Sequence, residues 1–155
     1  MGRRYFPLAA LFAAALAAGA SKAEESSDLA AVRELLRREY DKPSEPLHLD
    51  AIAIVNDSAI ADWSQGELAG RAFLRRKDEK WSIALCAGDA LKKVDALAKL
   101  GLPMPQAEAL ADKLTEAERG LSRETLENIA RFDRMVEMDS AADRSPSDPH
   151  HRVQQ

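Results

Sequence analysis

Four side chains of this sequence carry donor atoms suited to a soft metal ion: the thiol of Cys86, the thioether of Met138 and the imidazoles of His150 and His151. Thiolate, thioether and imidazole are the ligands that Cu(I) prefers. Cys86 ends an apolar segment just ahead of a predicted helix, whose N-terminal dipole would favour the thiolate. Two alternatives stay open, a buried and unreactive Cys86 and a solvated tail in which His150 and His151 bind nothing. We take the four residues as candidate metal ligands.

A second group of polar and aromatic residues surrounds a glycine-containing segment, residues 63–71. Trp63 ends a predicted strand, and Gln65, Glu67 and Arg71 follow it closely. A large aromatic side chain surrounded by polar groups is typical of a protein recognition surface. The alternative is a Trp63 that packs in the core and holds the loop in place. We take these four residues as candidate partner-binding residues.

The sequence offers little support for an enzyme. His48 is the one histidine ahead of the tail, so it alone could act as the base of a Ser-His-Asp or Cys-His arrangement. Nothing in the spacing places it near Cys86. The sequence also lacks a nucleophile-elbow motif, a phosphate-binding glycine loop and a carboxylate pair with acid–base spacing. We therefore expect a protein that is not an enzyme.

The N-terminal residues 1–23 have the order of a secretory signal peptide. Basic Arg3 and Arg4 precede an apolar run at 8–18, and small-x-small cleavage sites follow at 18–20 and 21–23. The alternative, a membrane anchor, is disfavoured because the run is about half of the roughly 20 residues that span a bilayer. These residues hold three of the 22 basic side chains and none of the 26 acidic ones, so the remainder is acidic. We expect a soluble periplasmic protein that does not bind nucleic acid.

The remaining chain alternates helix and strand signals. A helix is predicted from Ser26, and strands are predicted at 47–55, 59–64, 71–76 and 80–86, with a loop at 65–70. Asp89 is the predicted N-cap of a helix that Gly101 ends, and Pro105 lies in the first turn of the next helix. Ser122 caps a last helix, whose apolar stripe continues to Val136.

These elements predict an α+β fold: an N-terminal helix, a four-stranded antiparallel meander and about three helices. The arrangement is similar to cystatin-like and NTF2-like folds by analogy, and this analogy implies no function. We expect a single domain at 24–139, after the signal peptide at 1–23. Residues 140–155, rich in Ser, Pro and Asp, are expected to form a disordered, His-bearing tail.

Several segments resemble the copper uptake system-associated proteins of proteobacteria. They lie at 61–67, 70–72, 74–77 and 85–92, with the most specific parts being Trp63-Ser64-Gln65-Gly66-Glu67 and Cys86-Ala87-Gly88-Asp89-Ala90-Leu91. The ending Met138-Asp139, followed by His150-His151, is also similar. The sequence departs from the family where Ala69 and Ala87 stand in place of glycine and where the tail holds few histidines. The resemblance implies a role in copper import, with copper as the metal and a component of the uptake system as the protein partner.

Two hypotheses for function follow from these residues. In the first, the protein is a periplasmic accessory protein that binds copper or delivers it to a partner of the uptake system. In the second, it is a metal-free interaction module that docks through residues 63–71, and copper enters only through its partner. The reactivity of Cys86 distinguishes the two, because a metal-binding thiol must be accessible and ionised.

Overall fold

The computed structural model describes residues 14–132 and 136–137, with side chains from Lys22 to Phe132. Helix α1 (Ala14–Tyr40) precedes strands β1 (His48–Val55), β2 (Ser58–Gln65), β3 (Leu68–Lys77) and β4 (Lys80–Ala87). Helices α2 (Val94–Lys99), α3 (Met104–Ala117) and α4 (Arg123–Ala130) follow, with 3-10 segments at Asp89–Lys92 and Glu118–Gly120. Strand β5 (Val136–Glu137) ends the described chain. The predicted α+β fold, with a helix, an antiparallel four-stranded meander and about three helices, is confirmed.

The sheet is antiparallel in the order β1-β2-β3-β4-β5 and is covered on both faces. One apolar cluster joins the sheet to α1 and includes Val32, Leu36, Ala72 and Cys86. The other joins the sheet to α2 and α3 around Phe73. Because successive strand residues point to opposite faces, each central strand contributes to both clusters. No described helix is long and apolar enough to cross a membrane.

Helix α1 begins earlier than predicted. We expected it to start near Ser26, with Asp28 in the starting segment, but the helix extends continuously from Ala14. The alanine-rich sequence favours this extension because alanine has the highest helix propensity. Asp28 accepts hydrogen bonds from Arg76 Nη1 at 2.7 Å and Trp81 Nε1 at 3.2 Å, which fasten α1 to the sheet. The signal peptide at 1–23 stays a prediction, and residues 1–13 lie outside the described part.

The predicted loop at 65–70 is wrong. Strand β2 continues to Gln65 and β3 starts at Leu68, so only Gly66 and Glu67 connect them. Gly66 has a φ of 58°, which suits a tight hairpin turn and is costly for most other residues. Strands β2 and β3 therefore form one regular hairpin, whose tip is the turn at Gly66 and Glu67 with its flanking residues Gln65 and Leu68.

The second half of the chain differs from the prediction at both ends. The helix predicted from Asp89 is divided into a 3-10 segment and α2, with extended backbone at Lys93 between them. Gly88 is the N-cap in place of Asp89, whose carboxylate instead accepts a hydrogen bond from Arg71. The Ser122 cap is confirmed, since its Oγ accepts from Thr125 N at 3.0 Å.

The last helix is shorter than its apolar stripe suggested. It ends at Ala130, and Val136–Glu137 form strand β5 against Leu85 and Cys86 of β4. Close packing explains the change, because a Cβ on Gly88 would lie 2.4 Å from the carbonyl oxygen of Phe132. Glycine at this position thus permits the chain after α4 to turn toward β4. The predicted tail at 140–155 lies outside the described residues.

Candidate functional site

Cys86 lies in β4 on the sheet face that α1 covers, and it pairs across the strands with Ala72 of β3. Its side chain is 5% exposed. Burial raises the pKa of the Cys86 thiol to about 11, although the nearby Trp63 indole opposes the shift. At neutral pH the sulfur is therefore a protonated thiol in an apolar setting, which is a weak metal ligand and a poor nucleophile.

Trp63 occupies β2 on the same face, opposite Gly70 of β3. Its ring makes an edge-to-face contact with Phe132, with centroids 5.8 Å apart and planes at 75°. Gly70 provides the space, because a Cβ there would lie 3.0 Å from Trp63 and 3.1 Å from Phe132. The indole Nε1 is buried, and no described residue accepts its hydrogen in a bond of normal geometry. A buried donor without an acceptor lowers the stability of the folded protein and is rare in native structures, so the Trp63 Nε1–H is an unusual feature of this site.

A cavity of about 220 Å³ joins Trp63 to Cys86. The described residues that line it are all uncharged: Leu36, Tyr40, Leu47, Trp63, Gln65, Leu68, Ala72, Cys86 and Phe132. Three of the residues that the sequence singled out, Trp63, Gln65 and Cys86, are thus brought together. Leu68 is 65% exposed, so the cavity reaches the surface beside the hairpin tip.

Gln65 fixes the hairpin tip to the end of α1. Its Nε2 donates hydrogen bonds to the backbone oxygens of Tyr40 and Glu45, each at 2.7 Å. Glu67 is exposed in the turn, and Leu68 is the more exposed of the two exposed large hydrophobic side chains among the described residues. The tip therefore exposes the apolar side chain of Leu68 and the acidic side chain of Glu67, and the hydrogen bonds of Gln65 hold it in place.

Arg71 does not lie on this surface. It is 1% exposed and points to the opposite sheet face, directly across from Asp62. Its Nε is 3.1 Å from Asp62 Oδ1, its Nη2 is 2.7 Å from Glu118 Oε1, and its Nη1 is 2.8 Å from Asp89 Oδ1. The guanidinium thus joins β3 to both 3-10 segments and is unavailable to a partner.

The two buried carboxyl groups beside Arg71, those of Asp62 and Glu118, differ in ionisation. Burial raises the pKa of Asp62 to about 8, with Glu118 adding to the rise and Arg71 opposing it. Burial also acts to raise the pKa of Glu118, but hydrogen bonds from Lys92 and Arg71 outweigh it and lower that pKa. At neutral pH we therefore assign a proton to Asp62 and a charge to Glu118.

Sequence reasoning missed the roles of Asp62 and Glu118, which are 56 residues apart in the chain. The only sequence signal was an Asp inside an otherwise apolar strand, between Ala61 and Trp63. A buried acid needs a partner, so that position called for a base on a neighbouring strand. Naming Arg71 as that base required the strand register.

The described residues gather no metal site. Within them, no group of three or more His, Cys, Asp or Glu side chains is arranged so that it could hold a metal ion. His48 is exposed at the start of β1, and β2 and β3 separate it from Cys86. At about 4.8 Å per strand, that separation is roughly 14 Å, too far for a shared proton or metal. Met138, His150 and His151 lie outside the described part.

Comparison with known proteins gave no match to a family model, to a curated protein or to a solved structure. The resemblance to the copper uptake system-associated family therefore stays a prediction.

Proposed function

We propose that this protein is an exported, non-enzymatic accessory protein of copper uptake. It docks a protein partner with the tip of the β2–β3 hairpin and holds no copper on Cys86. The observation that carries the proposal is the contrast between a buried, protonated Cys86 and an exposed, well-supported Leu68.

The surroundings of Cys86 argue against copper at this residue. A copper thiolate requires loss of the thiol proton and access for the ion. The sulfur is enclosed by β3, β4 and α1, and burial holds its pKa at about 11. Its described neighbours along the cavity are aromatic or aliphatic side chains with one glutamine, which supply no second soft donor. Release of the proton would leave a charge in an apolar site.

The hairpin tip has the features of a docking surface. Leu68 can enter an apolar pocket of a partner, and Glu67 beside it can meet a basic side chain at the rim. Gln65 holds the tip in place before binding, which lowers the entropy lost on association. The partner is expected to be a component of the uptake system that carries an apolar pocket next to a Lys or Arg.

A complementation experiment tests this proposal. A host strain lacking the protein would receive the wild type, Leu68→Asp, Met104→Asp or Cys86→Ala, and its copper accumulation would be measured under copper limitation. Met104 is the matched control, because it is 47% exposed but lies on α3, outside the hairpin. Leu68→Asp should fail to restore copper accumulation at unchanged protein level, while the other two variants should restore it.

The opposite pattern would overturn the proposal. Full activity of Leu68→Asp would remove the hairpin tip as the docking surface. Loss of activity in Cys86→Ala, with the protein folded and present at the normal level, would favour a copper-binding carrier instead.

A further inference from the structure

The cavity beneath the hairpin has the size of a small-molecule site. Its volume is about 220 Å³, whereas a cavity of about 150 Å³ is enough to bind benzene. The site therefore has room for one aromatic ring and a short substituent. It is smaller than most drug-sized pockets, which begin near 300 Å³.

The lining specifies an uncharged and mainly apolar ligand. Among the residues that the structure describes, none of the nine lining side chains is charged, so these residues offer an ionic group no counter-ion when it is desolvated. Tyr40, Trp63 and Phe132 contribute aromatic surfaces, which favour contact with another ring. The Gln65 side-chain nitrogen already donates hydrogen bonds to two backbone oxygens, so it does not require an acceptor on the ligand.

One polar atom of the lining calls for a matching group on the ligand. The Trp63 Nε1–H is buried, and among residues 22–132 no acceptor bonds to it with normal geometry. The Cys86 sulfur lies close enough to interact with the indole N–H, but sulfur is a weak hydrogen-bond acceptor. A ligand oxygen would accept this hydrogen in a stronger bond than the sulfur can.

From the volume, the uncharged lining and the unpaired indole N–H, we propose that this cavity binds a small, neutral aromatic molecule carrying one oxygen acceptor. The acceptor bonds to Trp63 Nε1–H, and the ring packs between Tyr40 and Phe132. This binding goes beyond the docking function and is tested without a protein partner, while Leu68 belongs both to the exposed tip and to the lining of the cavity.

Three probes test the proposal on the full-length protein by ¹⁵N–¹H NMR of the indole groups. Acetophenone carries a ring and an acceptor, ethylbenzene is its counterpart without oxygen, and benzoate is charged. Acetophenone should move the Trp63 indole proton downfield and saturate, and ethylbenzene should bind about five-fold more weakly without a downfield shift. Benzoate should bind at least ten-fold more weakly than acetophenone.

Two variants make the result specific. Trp63→Phe retains a ring and removes the N–H, so it should abolish the preference for acetophenone over ethylbenzene. Trp81→Phe is the matched control, because Trp81 bonds to Asp28 and lies outside the cavity lining. This control also leaves Trp63 as the only indole, so the test stands even if Trp63→Phe does not fold.

Three results would overturn the proposal. One is the absence of a saturable shift of the Trp63 indole with acetophenone. Another is equal binding of acetophenone and ethylbenzene to the wild type. The third is an equal response of the Trp81 indole, which would indicate nonspecific binding.

Discussion

Replacing Asp62 with asparagine should make the protein more stable at alkaline pH. Asp62 has no exposed surface, and burial raises its pKa to about 8 from an ordinary value near 4. The folded protein therefore retains a proton that the unfolded chain releases above pH 4. The contribution of the Asp62 proton to the free energy of unfolding is fully present below pH 4, and it is lost as the pH rises toward 8.

The size of the effect follows from the two pKa values. Each pH unit within the window removes up to about 1.4 kcal/mol, so the wild type should lose roughly 3 to 4 kcal/mol between pH 5 and 8. Glu118 does not offset this loss, because its pKa is lowered and its contribution changes only as the pH falls below about 4. An asparagine keeps the shape and a hydrogen-bond donor but cannot ionise.

Urea unfolding followed by circular dichroism from pH 5 to 9 measures this effect. Asp62→Asn should match the wild type within about 1 kcal/mol at pH 5 and exceed it by roughly 3 kcal/mol at pH 8. Asp112→Asn, an exposed position on α3, is the control and should follow the wild type throughout. Parallel curves for Asp62→Asn and the wild type would refute the assignment of a proton to Asp62.

Three further predictions concern the thiol, a strand glycine and a helix cap. Because burial raises the pKa of Cys86 to about 11, iodoacetamide at pH 8 should label the folded protein at least ~100-fold more slowly than the urea-unfolded protein, as followed by mass spectrometry. Gly70→Ala should lower the free energy of unfolding by about 1–3 kcal/mol, since its methyl group would press on Trp63. Gly120→Ala, with nothing within 4 Å, should change it by less than about 0.5 kcal/mol in the same urea titration. Ser122→Ala should cost about 1 kcal/mol through loss of the cap bond, and Ser122→Asp should restore most of it.

Local signals were sufficient for much of the fold. The Gly101 helix end and the Ser122 cap each depend on the conformational preference of one residue or its neighbours, and both are present. Both faces of the sheet are covered, so the strands are rich in apolar residues. This composition allowed the strands to be predicted from the sequence.

The errors occurred where a distant contact decides the structure. Gly70 suggested a loop, but it belongs to a strand because the rings of Trp63 and Phe132 pack over it. The apolar stripe after Ser122 suggested a helix as far as Val136, but β4 offers that segment a sheet edge at Cys86. Neither contact changes the hydrophobic periodicity of the local sequence, so neither could be predicted from it.

The candidate site was only partly predictable for the same reason. Trp63, Gln65 and Cys86 attracted attention through their residue types, yet only the strand register places them on one cavity. Arg71 was predicted on the docking surface with Glu67, although the two differ in environment: Glu67 is exposed in the turn and Arg71 is buried against Asp62. A charged residue within a strand gave no local sign of which face it would occupy.

Anaerobic Cu(I) competition against a chromogenic chelator, with the full-length wild type and Cys86→Ala, tests the central claim most directly. Since the thiol is buried and protonated, the two proteins should give the same Cu(I) affinity within two-fold. Tight one-to-one binding by the wild type that falls ten-fold or more in a folded Cys86→Ala protein would contradict the account and make Cys86 a copper ligand.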